Sequence, residues 1–223
     1  MSTTARVKKN LADPAMDRTP ANPSELREAI ASGDPARAMP ALANLRELDV
    51  EEAVPLLLLG LEQRLFMVRS LACAGLGVKR NEAGWQALAR ILQFDDDANV
   101  RAEAANALAF FGVERAWPLL IQAFRRDGGW LVRCSILSAL AELPDISAEW
   151  LLELAQQAVI DSDGTVRVGG AEVLGRLVRE AGQTATALAA RQGLRALQED
   201  PDHRVVAAAL NGLQSEALGS LDG

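Results

Sequence analysis

The chain has 223 residues, enough for one substantial core or two small domains. Hydrophobic residues make up 49% of it, which excludes a disordered polypeptide. Aromatics are only 4%, tyrosine is missing and Ala and Leu dominate, which excludes an ordinary all-β protein and disfavours a large α/β enzyme. The net charge of −7 gives no attraction to phosphate, so neither nucleic acid nor an anionic membrane surface is an expected partner.

No run approaches 18 apolar residues, so no membrane insertion is expected. Arg6, Lys8 and Lys9 have no apolar stretch behind them, and Cys73 and Cys134 have no paired spacing. Both features predict a reducing, cytoplasmic location. A single histidine, His203, excludes a multi-histidine metal centre and most histidine-based catalysis. No metal site and no catalytic constellation are expected.

In chain order, residues 1–22 are polar, with Pro14 and Pro20 near their end, and are expected to form a mobile extension. Residues 23–217 are expected to form a repeat solenoid, and residues 218–223 a frayed tail. A degenerate first copy spans 24–48 and is entered at Asp34-Pro35. First-type helices are expected over 51–62, 83–93, 114–126, 147–160 and 184–198. A second-type helix starts near each Val-Arg pair: Val68-Arg69, Val100-Arg101, Val132-Arg133 and Val166-Arg167. A fifth copy at Val205 has Val206 in place of the arginine. Four residues past each of the first four valines stand Ala72, Ala104, Ile136 and Gly170, and eight past stand Leu76, Leu108, Leu140 and Leu174. Asp and Gly in the intervening turns suit short connections and helix N-caps. A repeat of this period predicts an all-α protein, an armadillo-type α-α superhelix of about six helix pairs.

On a helical wheel the valine side of each second-type helix is core. The opposite side holds the residues three, six and ten past the valine. These are Glu103, Asn106 and Phe110, then Ser135, Ser138 and Glu142, then Gly169, Glu172 and Arg176. In a stacked solenoid this column lines the concave side; a solvated face is the plainer reading, and a partner-binding groove the sharper one, since concave solenoid surfaces are usual binding sites. Phe110 is its apolar exception and the candidate anchor.

Each motif arginine follows an aspartate by six residues: Asp95 and Arg101, Asp127 and Arg133, Asp161 and Arg167. This predicts a structural ladder in which each arginine reaches turn carboxylates of its own or a neighbouring repeat. A catalytic or anion-binding role is the alternative. Cys134, beside Arg133, is the better candidate for a reactive thiol, against the plainer reading of a small space-filler. Trp85, Trp117 and Trp150 recur at one repeat position and suit inter-repeat packing, while Trp130, after Asp127-Gly128-Gly129, is the candidate platform for a flat ligand. Gly169-Gly170 inside a helix points to close packing at 170, with backbone left open to a partner as the alternative.

The stretches DDDANVRAEAANALAFFG, WLVRCSILSALAEL and DSDGTVRVGGAEVLG resemble the HEAT repeat. They are most similar to the variant named after phycobilisome lyases, in its short cyanobacterial members. The resemblance implies a scaffold acting on phycobiliproteins in bilin attachment, bilin detachment or antenna turnover, with its client on the concave face. The alternatives are a lyase subunit that takes part in bilin transfer and a general assembly adaptor unrelated to pigments. It implies protein partners, phycobiliprotein subunits among them, and a second HEAT-repeat chain as a further one. No resident cofactor is implied, and a linear tetrapyrrole would be held only in transit. Deoxyhypusine hydroxylase resembles the same architecture but needs His-Glu motifs, which this chain lacks.

Overall fold

The computed structural model describes residues 22–180 and 182–219, with side chains through residue 214. The expected extension over 1–22 and tail over 218–223 therefore lie almost wholly outside the described residues. Asn22 is described: its side chain accepts from Ser24 N and caps the first helix.

The described residues form twelve α-helices in six pairs and no strand. The pairs are α1 (Pro23–Ala31) with α2 (Pro35–Asn44), α3 (Val50–Leu61) with α4 (Phe66–Lys79), and α5 (Glu82–Phe94) with α6 (Ala98–Ala109). Then follow α7 (Val113–Arg126) with α8 (Trp130–Ala141), α9 (Ala148–Ala158) with α10 (Gly164–Glu180), and α11 (Ala185–Ala196) with α12 (His203–Gly219). Single 3-10 turns follow α2 and α11.

Local chemistry sets the helix starts. Asp34, Asn81, Asp97, Ser147 and Thr184 each accept a backbone N–H from the first turn of the helix they precede, and proline stands in the first turn of α1 and α2. The turns into α3, α5, α7 and α11 differ in chemistry. Gly112 and Gly182 adopt positive φ there, but the equivalent turn after α4 puts Arg80 in the left-handed region at φ 46°.

The five motif valines, Val68, Val100, Val132, Val166 and Val205, are at most 1% exposed; the leucines eight past the first four, Leu76, Leu108, Leu140 and Leu174, are equally buried, and Leu213 of the last repeat is half-buried. Each such leucine contributes about 1.5–3 kcal/mol by leaving water. Leu88, Leu120 and Leu154 answer from the odd-numbered helices, so one core runs along the stack.

The even-numbered helices pack on one another much more closely than the odd-numbered ones do. The layer with closer neighbours has the smaller radius, so the stack curves toward the even-numbered face and that face is concave. Small residues permit the approach: a Cβ built at Gly77 would lie 2.9 Å from Ala107 Cα, and one at Gly175 would lie 3.0 Å from Gly212 Cα. Val173 takes the register held by Ala107 and Gly212 elsewhere. There α8 and α10 stand further apart and a groove opens between them. The odd-numbered layer is spaced by rings. Trp117 of α7 stacks on Trp150 of α9 with centroids 5.0 Å apart and planes 2° from parallel.

Candidate functional site

Two surfaces gather the chemistry-bearing residues. One is the edge where the odd-to-even turns stack; the other is the concave face.

At the edge, each motif arginine forks the aspartate of the following repeat. Nε donates to one carboxylate oxygen in Arg69–Asp95 (2.8 Å), Arg101–Asp127 (2.7 Å), Arg133–Asp161 (2.6 Å) and Arg167–Asp200 (2.8 Å), and a second nitrogen donates to the other oxygen. The remaining guanidinium nitrogen turns back to carbonyls of the arginine's own turn. Arg101 thus meets Asp95 through the aspartate's backbone oxygen, at 2.9 Å, and its carboxylate belongs to Arg69. The same division holds for Arg133 with Asp127 and for Arg167 with Asp161. Each aspartate also accepts the N–H two residues on, at 2.7–3.0 Å, which folds the turn.

The four rungs form one continuous line, in which every carboxylate partner lies in the neighbouring repeat. Arg69 and Asp200 are members absent from the set drawn from the six-residue spacing. Val68-Arg69 carried the signal for one, and the Asp200-Pro201-Asp202 turn for the other. The arginine side chains are 11–17% exposed and the carboxylates 6–9%. For Asp95, Asp127 and Asp161, burial pushes the carboxyl up, but the arginine fork and the turn N–H outweigh it and hold the group below its ordinary range. For Asp200 the Arg167 fork is the largest influence, in the same direction. With Nε and both terminal nitrogens of each guanidinium engaged, the ladder offers no free fork to an anion.

Cys134 does not have the environment of an activated thiol. Burial, followed by the charge of Asp163, pushes its thiol up, and the opposing influence of Arg133 is smaller because that guanidinium faces Asp161. Cys73 is fully buried and is pushed up further by the same desolvation. Among the described residues no His/Cys/Asp/Glu group could hold a metal ion, and no helix is long and apolar enough to cross a membrane.

On the concave face, Glu103 and Asn106 of α6 are half-buried, and Phe110, which caps that helix, is 62% exposed. Ser135 is half-buried, and Ser138 and Glu142 are exposed along α8. Ser138, Glu142, Glu172 and Arg176 converge on the groove between α8 and α10, a space of about 290 Å³ floored by Leu137, Ala141 and Val173. Arg176 is tethered there. It pairs with Glu180 at 2.7 Å and donates to the backbone carbonyl of Ala141 across the groove. Trp130 is 48% exposed at the first turn of α8, about 12 Å along the helix from Ser138, so it stands apart from the groove. The other tryptophans have partners: Trp85 meets Phe111 edge-on and lies under the Arg115 guanidinium, and Trp117 stacks on Trp150.

The column on α4 was missing from the expected surface, although it follows from the same offsets. Leu71, Ala74 and Val78 occupy it. The concave face is therefore apolar toward α4 and polar toward α8 and α10.

Among known proteins, the model for HEAT repeats matches residues 54–141. No curated protein matches the chain. A solved engineered protein is 20% identical, with a TM-score of 0.51 over 88% of this chain and 97% of that one. Human deoxyhypusine hydroxylase in complex with glycerol is 16% identical (TM-score 0.46; 86% of this chain, 94% of that one). The complex of CpcE and CpcF of phycocyanin lyase from Nostoc sp. PCC7120 is 18% identical (TM-score 0.42; 96% of this chain, 99% of that one). At these identities the likeness speaks to the fold alone, and the last two superpose too loosely to carry an argument.

Proposed function

We propose that the chain, whose residues 54–141 match the HEAT-repeat model, is a protein-binding scaffold of HEAT repeats whose client lies along the concave face of the even-numbered helices. The observation that carries this is the division of labour between the surfaces. The ladder edge has its charges paired internally, whereas the concave column presents exposed Phe110, Ser138, Glu142 and Glu172 in consecutive repeats. A surface of unspent polar groups with an apolar anchor has the make-up of a recognition face.

For the client, the resemblance of the repeats to the phycobilisome-lyase type favours phycobiliprotein subunits. The chain would then act in bilin attachment, bilin detachment or antenna turnover. Holding the subunit rather than doing chemistry on the pigment is the role that two thiols pushed up by burial support.

The test is a binding titration of the chain against a phycobiliprotein subunit, with and without its pigment, followed in parallel with free phycocyanobilin. Saturable binding of the subunit, weakened at least tenfold by Phe110→Asp or Glu142→Lys, is the expected result. Binding of neither subunit form removes the phycobiliprotein client. Saturable quenching of tryptophan fluorescence by the free pigment, lost in Trp130→Ala, would replace the holding role with direct pigment handling.

A further inference from the structure

The apolar part of the concave face is a continuous strip. On α4 the outward positions are Met67, Leu71, Ala74 and Val78, spaced so that one stripe runs about 16 Å along the helix. The same positions on α6 read Asn99, Glu103, Asn106 and Phe110, and on α10 Thr165, Gly169, Glu172 and Arg176. Met67 is 42% exposed and Val78 62%, and Phe110 extends the patch onto the next helix.

Beside the stripe, α2 stops after ten residues, and a groove of about 220 Å³ opens between α2 and α4 over Leu42, Leu45 and Leu57. Its rim is already fixed. The Lys79 ammonium donates to the carbonyls of Arg46 and Leu48 and ties α4 to the turn after α2.

The rim is also basic, in a chain whose net charge is −7. Arg46 lines it and Arg80 follows Lys79. Both are exposed, and among the described residues neither forms an ion pair. Arg80 holds a left-handed conformation in the register where the next pair has Gly112. A side chain is kept where glycine would be cheaper, and backbone strain of this kind concentrates at functional positions.

We propose that the α2–α4 groove takes the apolar face of an acidic amphipathic helix of the client, about three turns long, with its carboxylates at Arg46 and Arg80. This rests on the scaffold reading and adds to it the chemistry of the recognised segment. The chain's own residues 1–21 are a poor occupant: they carry Arg6, Lys8, Lys9 and Arg18 against Asp13 and Asp17, and a basic rim repels them. An acidic helix is repelled by most of this molecule and drawn to this rim, which gives register as well as attraction.

The probe is a fluorescein-labelled helical peptide of 15 residues with leucines at positions 2, 6, 9 and 13 and glutamates on the flanks. Anisotropy is read against the full chain at 0.05 and 0.15 M salt. The expected result is saturable binding that weakens with salt. It falls at least tenfold when the glutamates become lysines, at least tenfold in Val78→Asp, and severalfold in Arg80→Gly. Leu188→Asp, exposed on α11 of the odd-numbered layer, leaves it unchanged.

Circular dichroism melts confirm that the surface variants fold. Equal binding of the lysine peptide overturns the charge argument, and unchanged binding in Val78→Asp overturns the site. If binding is lost in Ser138→Asp, on the groove between α8 and α10, but not in Val78→Asp, the groove proposal falls while the scaffold reading stands. If the peptide binds as expected and no phycobiliprotein subunit does, the groove stands and that client falls.

Discussion

Replacing Arg133 with methionine removes one rung of the edge ladder while keeping most of the side chain's apolar stem. Three donor contacts are lost: the fork on Asp161 at 2.6 and 2.9 Å and the bond to Asp127 O at 2.7 Å. Asp161 is left 8% exposed, with only the Asp163 N–H and a more distant Arg167 to support its charge. Breaking a buried pair from one side costs roughly 3–5 kcal/mol, and the 11% exposure of Arg133 places this case near 3 kcal/mol. For a chain of this size that lowers Tm by about 6–12 °C.

Arg125→Met is the control. Its pair with Glu153 is about half exposed on both sides, so the loss stays within about 1 kcal/mol. Urea unfolding at pH 7 reads both, and Asp161→Asn completes a double-mutant cycle with Arg133→Met. In that cycle the double variant is more stable than the sum of the single losses predicts, because the orphaned charge has gone.

Acid gives a second reading of the same rung. The folded Asp161 carboxyl lies below its unfolded value of about 3.9. Its contribution is therefore complete above that pH and is lost as pH falls through the folded value. Without Arg133, burial is less opposed and the folded value rises. The deficit of the variant is then largest near neutrality and shrinks below about pH 4. Equal costs for the Arg133 and Arg125 variants, or strict additivity in the cycle, would refute the claim that the ladder supports the stack.

Four other perturbations follow from the same structure. A Cβ at Gly170 would lie 2.9 Å from Ala158 Cβ and 3.0 Å from the Val159 backbone nitrogen, so Gly170→Leu should cost about 3 kcal/mol or more in a denaturant titration. At Gly169 the obstacle is Leu137 Cδ2, the end of a flexible side chain, so Gly169→Ala should stay within about 1 kcal/mol of the parent. Arg80→Gly relieves the left-handed conformation and should raise stability by about 0.5–1 kcal/mol in thermal melts, even as it weakens the basic rim. Alkylation of Cys134 by iodoacetamide should show a pH midpoint above the ordinary thiol value of about 8.5; a midpoint below it would restore the activated-thiol reading.

Periodicity made the fold legible. A valine every 32–39 residues, with small or aliphatic residues four beyond and leucine eight beyond, can be satisfied only by helices that bury one stripe against like neighbours. The helix limits followed from local chemistry, because Asp34, Asp97 and Ser147 cap the helices they precede. The concave column was legible on α6, α8 and α10 by the same offsets. On α4 the column does not stand out in the sequence, because Leu71, Ala74 and Val78 are apolar in a helix that is apolar nearly all round.

Other features depended on distances between repeats, which no one-dimensional spacing contains. Asp95 is six residues from Arg101 in the chain, yet its carboxylate belongs to Arg69. A fork can form only where two turns are stacked, and the stacking rise sets which turn is in reach. The same rise committed Arg133 to Asp161, and so left its pull on the Cys134 thiol outweighed by burial and the charge of Asp163. The helices, their caps and their buried stripes are short-range consequences of residue order, and the sequence by itself determined them. Which charge meets which, and which apolar strip is left uncovered, depends on how closely neighbouring helices approach. Tertiary packing alone decided that, through the bulk of single residues such as Gly77, Val173 and Gly212.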